Sequence, residues 1–207
     1  MSIFIYIILY ISTAMIWRMN MNALGYALLG MLMRKPCSGY ELTQLLEVFW
    51  QAKHSQVYPL LTKLEQDGLV TFVHVEQTGK PDKKIYSITD EGQTLLTQWV
   101  TKPSAPPVIR DEFLAKVYAI GLTDTNTAKR LFRERIFSFE EKVAFRKEEI
   151  SQMQEEYGSE LEQITCRHFG RYLLFQRKLK LEEEEIAWCH WVLGLLDNTK
   201  INATAKK

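Results

Sequence analysis

Residues 51–69 read QAKHSQVYPLLTKLEQDGL, and this stretch decides how the rest of the chain is interpreted. Its apolar residues recur at helical spacing, which predicts a helix with one buried face: Val57, Leu60, Leu61 and Leu64. Ser55 can cap the start of this helix through its hydroxyl, and Pro59 then falls in the first turn. Gly68 can end the helix, since glycine readily follows a helical C-terminus.

The other face of this predicted helix carries hydrogen-bond donors and a group that can stack: Lys53, His54, Gln56, Tyr58 and Lys63. Side chains of these kinds contact phosphates and base edges in DNA complexes. An ordinary amphipathic helix with a solvated polar face is the alternative. This stretch alone does not distinguish the two interpretations.

The chain has 207 residues, of which 46% are hydrophobic, so it can form one or two folded domains. Its net charge is only +1, and residues 19–101 contain 7 basic and 8 acidic residues. Any affinity for DNA must therefore come from local basic clusters. Cys37, Cys166 and Cys189 are scattered, which indicates neither a disulfide framework nor a zinc site and suits the cytoplasm.

Residues 1–17, MSIFIYIILYISTAMIW, are almost wholly apolar. Their length is at the lower limit for a membrane span, and they lack the basic segment of a secretory signal. Three interpretations compete: a membrane anchor, an extra helix packed on a dimer, and an extension upstream of the functional start. We favour the third, because Met19 and Met21 stand directly before the first well-patterned helix.

The first domain is predicted to be three helices followed by a hairpin. Residues 22–35 form an amphipathic pattern, and Ser38 with Glu41 forms a capping box for a second helix whose inward residues include Phe49. The helix from Ser55 is the third.

The hairpin follows, with strands predicted at residues 69–75 and 84–89 and a turn at residues 76–82. Basic residues lie at and beside its tip, next to Tyr86: Lys80, Lys83 and Lys84. Three helices followed by a basic hairpin predict a winged helix-turn-helix that binds double-stranded DNA. Lysines that merely keep a sheet edge from pairing are the alternative.

The second domain is predicted to be all helical. Thr123 or Thr125 can cap a long helix that runs to Tyr157, and a last long helix follows Gly158. Apolar residues step by three and four along both helices, as in a coiled coil, which predicts a homodimer. The residues assigned to its interface are Phe132, Ile136, Phe139, Tyr172, Phe175, Leu179, Ile186, Trp191 and Leu195. A monomeric helical hairpin folded back on the first domain is the alternative.

The predicted fold class is mainly α, with a winged helix-turn-helix domain and an all-helical dimerisation domain. The boundaries are an N-terminal extension at 1–20, a DNA-binding domain at 21–101, a proline-rich linker at 102–109, a helical domain at 110–198 and a disordered tail at 199–207.

No pattern indicates an enzyme, a metal or a cofactor. Cys166 lies near His168 and Cys189 beside His190, but no carboxylate stands at a spacing that would orient either pair. Residues 182–185, four glutamates, are predicted to form a solvated face.

Five stretches resemble the PadR family of bacterial transcription regulators: ALGYALLGML (23–32), SGYEL (38–42), HSQVYPLLTKLEQDGLV (54–70), KKIYSITDEG (83–92) and RDEFLAKVYAIG (110–121). The resemblance covers residues 21–197, so residues 1–20 depart from the family. It implies a homodimeric repressor on a palindromic operator. It implies DNA contacts from the helix at Ser55 and from the wing at Lys80–Lys84. The residues assigned to DNA contact are Lys53, His54, Ser55, Gln56, Tyr58, Lys63, Lys80, Lys83, Lys84 and Tyr86.

Residues 49–59 are similar to the branch of the family that responds to phenolic acids, in which the ligand lies against the C-terminal helices. The matching positions here are His168, Arg171 and Tyr172, so the resemblance implies a small aromatic acid as effector. Arg171 can pair with a carboxylate, and a salt bridge to a neighbouring helix is the alternative. The competing function is a membrane-tethered winged-helix module that binds proteins.

Overall fold

The computed structural model describes residues 21–76, 82–108 and 110–204, with side chains described as far as residue 198. The chain divides into two compact units, Met1–Pro103 and Ser104–Lys207. Both units are mainly helical, and one small sheet lies in the first, which confirms the predicted fold class. Among the helices described, none is long and apolar enough to cross a membrane. The apolar residues 1–17 lie outside the described residues.

Within residues 21–76 and 82–103, the first unit contains four helices and three strands. In chain order they are α1 (Ala23–Leu32), β1 (Cys37–Ser38), α2 (Gly39–Leu46), α3 (His54–Gln66), β2 (Val70–Val75), β3 (Lys83–Ile88) and α4 (Asp90–Val100). Leucines from the first three helices form the centre of the core: Leu28, Leu29, Leu42, Leu46, Leu61 and Leu64. The predicted order of three helices and a hairpin is therefore confirmed.

The sheet has one strand more than the sequence predicts. Its order is β1-β3-β2, and both pairs are antiparallel. In β1, Cys37 lies opposite Tyr86, while β2 and β3 pair from Val70 opposite Ile88 to Val75 opposite Lys83. A two-residue strand has no periodicity of its own, so only its partner reveals it.

Helix α2 begins with the predicted capping box. The Ser38 hydroxyl accepts the Glu41 amide at 3.3 Å, and the Ser38 amide donates to the Glu41 carboxylate at 2.7 Å. Hydrogen bonds from Ser38 lower the pKa of Glu41, and nearby Lys83 and Lys35 add to the effect. The helix ends at Leu46, so Phe49 lies beyond it and is 41% exposed, which corrects its predicted inward position.

The described part of the second unit contains three α-helices and two short 3-10 helices. They are α5 (Glu112–Tyr118), a 3-10 turn (Ile120–Leu122), α6 (Thr125–Tyr157), a 3-10 turn (Gly158–Glu162) and α7 (Phe169–Thr204). Asp124 caps α6 by accepting the amides of Asn126 and Thr127, so the prediction of a threonine cap is wrong. Helix α7 continues past the predicted domain end at Asn198.

Helices α6 and α7 form an antiparallel hairpin within one chain. Lys129 pairs with Asp197 at one end of the hairpin, and Glu149 pairs with Arg171 near the other. Part of the predicted dimer seam fills this intrachain contact, because three of its members are at most 7% exposed: Phe132, Ile136 and Phe175. This corrects their assignment to a dimer interface.

A buried ion pair interrupts the seam of the hairpin. Glu182 is only 1% exposed, so the prediction that residues 182–185 form a solvated face is wrong at its first member. Its carboxylate lies 3.5 Å from a guanidinium nitrogen of Arg146, which is also buried. Arg146 is a charged interruption in the apolar steps of α6, and Glu182 is its partner.

Arg135 joins three helices of the second unit. Its guanidinium pairs with Asp111 before α5 at 2.6 Å and with Glu185 on α7 at 2.9 Å. It also lies 4.4 Å from the centre of the Phe113 ring. Burial alone would raise the pKa of Asp111, but hydrogen bonds from Arg135 and the Phe113 amide outweigh it and lower that pKa.

Candidate nucleic-acid interface

Helix α3 has the buried and exposed faces that the sequence predicts. Val57, Leu61 and Leu64 are at most 1% exposed and pack into the core. All six of its predicted contact residues are exposed: Lys53, His54, Ser55, Gln56, Tyr58 and Lys63. Donors and rings of the kinds that contact DNA are therefore brought together on the solvent side of one helix.

The start of α3 differs from the prediction. The helix begins at His54 with Lys53 at the cap position, so Ser55 lies inside the first turn and is not the cap. Gln56 takes over part of the capping role, because its side-chain oxygen accepts the Lys53 amide at 3.0 Å. The N–H groups of the Gln56 side-chain amide can still donate hydrogen bonds. Pro59 lies two residues further into the helix than predicted, in its second turn. Because proline has no N–H, the Ser55 carbonyl receives no helical hydrogen bond from residue 59.

Three aromatic rings form a continuous array across α2 and α3. The His54 ring stacks on Tyr40 of α2, with centroids 5.6 Å apart and planes within 9°. The His54 ring also contacts Tyr58, with centroids 6.0 Å apart and planes inclined by 34°. Gly39 makes room for this packing, because a Cβ there would lie 2.9 Å from the Tyr58 ring. Tyr40 was not predicted to belong to the interface, since only the crossing of α2 and α3 brings it there.

The two described lysines of the wing, Lys83 and Lys84, differ in their exposure. Lys84 is exposed, and its ammonium lies 3.8 Å from the centre of the Phe72 ring, a cation–π contact that fixes it on the face of the hairpin. Lys83 is half-buried, and its charge lies near Glu41. Lys80 lies outside the described residues.

Tyr86 does not lie on the surface of the wing. Its side chain is 4% exposed and belongs to the core with Val70 and Leu69, and burial raises the pKa of its phenol. Its predicted contact with DNA is therefore corrected. Lys84 and Tyr86 are two residues apart on one strand, and the sequence did not show where that face becomes buried.

The residues predicted to bind an effector lie at the start of α7 and already have partners. The His168 ring stacks on Tyr157 with centroids 4.1 Å apart, and it is 7% exposed. Arg171 donates to the Glu149 carboxylate at 2.7 Å, which matches the predicted alternative of a salt bridge to a neighbouring helix. The Tyr172 hydroxyl accepts hydrogen bonds from two glutamine amides.

The remaining residues predicted for the dimer interface divide into two groups. Trp191 and Leu195 are 61% and 48% exposed. Four others are half-buried along the hairpin: Phe139, Tyr172, Leu179 and Ile186.

Comparisons with known proteins cover both units. Residues 28–98 match the profile described as Transcriptional regulator PadR-like family, and residues 109–197 match Virulence activator alpha C-term. The chain is 33% identical over 187 residues to the negative transcriptional regulator PadR of Bacillus subtilis, which covers 86% of this chain and 99% of that relative.

Two solved structures of that relative are also similar. The crystal structure of B. subtilis PadR in complex with operator DNA gives a TM-score of 0.73 at 31% identity, covering 86% of this chain and 99% of that one. The complex of B. subtilis PadR with p-coumaric acid gives 0.57 at 32% identity, covering 85% and 99%. With a relative matched over almost its whole length at this identity, the chain belongs to the PadR family of transcriptional regulators.

Proposed function

We propose that this protein is a transcriptional repressor that binds a palindromic DNA operator as a homodimer. The observation that carries the proposal is the exposed polar face of α3, whose opposite face is fixed in the core by Val57, Leu61 and Leu64. Similarity to B. subtilis PadR bound to operator DNA supports the same conclusion. The competing module that binds proteins at a membrane predicts no salt-sensitive binding of DNA.

In this proposal α3 enters the major groove and the β2–β3 wing contacts the backbone or the minor groove. Lys53 and Lys63 are exposed at opposite ends of α3, where their charges can neutralise phosphates. Gln56 offers amide N–H groups to acceptors on base edges, because its oxygen is occupied by the Lys53 amide. The net charge of the chain is small, so these local cations carry the electrostatic attraction.

Replacing Lys63 with alanine should weaken binding to every duplex by about three- to tenfold and reduce the slope of log affinity against log salt by about one. Replacing Gln56 with alanine should instead reduce the preference for the selected duplex over a scrambled one by about tenfold. Fluorescence anisotropy at several salt concentrations measures both, with a duplex enriched on the protein from a random library.

Lys180→Ala is the matched control, because it removes an exposed lysine from the second unit. Its affinity and salt slope should equal those of the wild type. A wild-type protein that binds neither duplex, even in dilute salt, would overturn the proposed function. An unchanged preference in the Gln56→Ala protein would remove that residue from base recognition alone.

The homodimer is proposed from an apolar stripe on the outer side of α7. Its four members are 48–61% exposed: Leu173, Leu181, Trp191 and Leu195. Leu173 and Trp191 are five helical turns apart, so they lie on the same side of α7, away from Phe175 and Cys189, which pack inward. A second copy would cover this stripe with the same residues, since a two-fold interface is self-complementary.

Trp191→Glu should raise the dissociation constant of the dimer by about a hundredfold, because it removes a large apolar contact and places a charge in the interface. Sedimentation at micromolar concentration should then show monomers, and operator affinity should fall with the dimer. Ile164→Glu is the control, because Ile164 is 83% exposed and lies outside the stripe. A Trp191→Glu protein that sediments as wild type would exclude this face.

Release by a small aromatic acid completes the proposal. It is supported by the p-coumaric acid complex of B. subtilis PadR and by the position of Arg171 over the Phe175 ring, where a guanidinium and an aromatic face meet. The acid would have to exchange with the Glu149 carboxylate, which holds Arg171 now. The anisotropy assay with p-coumaric acid added tests this part, and an undisturbed complex at millimolar acid would exclude it.

A further inference from the structure

The aromatic array of α2 and α3 contains a residue with no assigned role. Tyr40 lies on the second residue of α2 and is 56% exposed, yet its ring is held in place by stacking on His54. Its hydroxyl accepts a hydrogen bond from the Gln44 amide at 3.1 Å, and Gln44 is exposed as well. The capping box at the start of α2 uses Ser38 and Glu41, so it leaves Tyr40 available for another contact.

We propose that Tyr40 is a DNA-contacting residue whose hydroxyl donates to a backbone phosphate beside the groove that α3 enters. The inference rests on the proposed DNA-binding function and names a contact outside α3 and the wing. In a helix-turn-helix the first helix of the pair crosses the DNA backbone while the second enters the groove. Tyr40 is on that first helix, at the end that touches His54 of α3.

The geometry of the hydroxyl favours a phosphate over a base edge. Because its oxygen already accepts the Gln44 N–H, the hydroxyl proton is free to donate outward, and a hydrogen bond accepted at the oxygen strengthens the one donated. Phosphate oxygens only accept, which matches this donor. Tyrosine and glutamine side chains are also among the groups that contact phosphates and fix the register of a protein on its duplex.

The rigidity of the array decides how much this contact contributes. Stacking on His54, whose ring also contacts Tyr58, restricts the motion of the Tyr40 ring. A hydroxyl held in position before binding loses little conformational entropy when the phosphate arrives. The contact of Tyr40 with a phosphate of the DNA backbone therefore fixes how deeply α3 enters the groove.

Tyr40→Phe tests the proposal, because it removes the hydroxyl and keeps the ring that stacks on His54. We expect affinity to fall about five- to tenfold on the selected and the scrambled duplex alike, with their ratio and the salt slope unchanged. Tyr118→Phe is the matched control, since Tyr118 is 96% exposed on α5, and it should bind as the wild type. Thermal melting checks that both variants are folded.

A scan of single methylphosphonate linkages identifies the phosphate. The wild type should lose affinity at one position per half-site where Tyr40→Phe loses nothing further. Wild-type affinity in the Tyr40→Phe protein overturns this inference and leaves the proposed function standing. The inference is also overturned if Tyr40→Phe binds more weakly than the wild type by the same factor on every methylphosphonate duplex. The hydroxyl would then act within the protein and not on one phosphate. A wild type that binds no duplex overturns both.

Discussion

Gly92→Ala should destabilise the winged-helix unit by about 3 kcal/mol, a large effect for the addition of one methyl group. A Cβ at this position would lie 2.3 Å from the Leu69 carbonyl oxygen and 2.8 Å from the Ile88 side chain. The obstacle is backbone, so no flexible side chain can move aside. The first turn of α4 would have to withdraw from the turn before β2.

That withdrawal would break the hydrogen bonds that tie the two segments together. The Thr89 amide donates to the Leu69 carbonyl at 3.1 Å, and the Thr89 hydroxyl donates to the Gly68 carbonyl at 2.8 Å. The same hydroxyl accepts the Gly92 amide at 3.1 Å and so caps α4. One substitution therefore strains the cap of α4 and its anchor on the sheet together.

Thermal and urea unfolding of the full chain, followed by circular dichroism, measure the effect. A loss of this size corresponds to a fall of roughly 10 °C or more in the melting temperature of the unit. Gly30→Ala is the control, because a Cβ on that exposed glycine of α1 meets nothing within 4 Å. It should stabilise the protein slightly, by about 0.5–1 kcal/mol. Equal melting temperatures for Gly92→Ala and wild type would refute the close approach.

Local signals in the sequence predicted local structure. The capping box of Ser38 and Glu41 needs only a four-residue motif, and it forms as predicted. Thr89 caps α4 through a contact of the same short span, with the Gly92 amide. Choices between neighbouring candidates failed, because several side chains could serve: Lys53 occupies the cap position of α3 in place of Ser55, and Asp124 caps α6.

Features that depend on segments distant in sequence were not predictable. The third strand, β1, forms through the pairing of Cys37 with Tyr86, and a strand of two residues has no sequence pattern that predicts it. The contact of Tyr40 with His54 depends on how two helices cross. Periodicity showed that Phe132 lies on an apolar face, but a seam that packs within one chain has the same periodicity as one that packs between two.

For the candidate site, helical periodicity separated the exposed donors of α3 from its core residues, because one of its faces is buried throughout. Alternation on the wing was less informative. Lys84 and Tyr86 share a face of β3, but the face passes from solvent into the core between them. Depth along a strand is a property of the packed sheet, so the sequence assigned both residues to the surface.

Replacing Glu182 with leucine should destabilise the helical unit by about 3–5 kcal/mol, because it leaves the buried Arg146 guanidinium without its carboxylate. Glu182 is 1% exposed, and one of its oxygens makes no hydrogen bond within the described part of the chain. The other lies 3.5 Å from Arg146 and 3.9 Å from Lys178, so the pairing is loose for so buried a carboxylate. Urea unfolding of the variant measures the loss.

The double replacement Arg146→Met with Glu182→Leu should recover most of that stability, since an apolar pair of similar volume avoids the cost of desolvating two charges. The Phe175 ring, 5.0 Å from the Arg146 guanidinium, gives the new methionine an apolar neighbour.

Glu183→Leu is the control on the next residue. Its partner Lys147 lies 2.8 Å away, but both side chains are about half exposed, so solvent limits the loss of stability to less than about 1 kcal/mol. If Glu182→Leu costs no more than Glu183→Leu, the buried charge is not paired as the structure indicates. If the double variant is less stable than Glu182→Leu alone and Arg146→Met alone, the ion pair itself stabilises the hairpin.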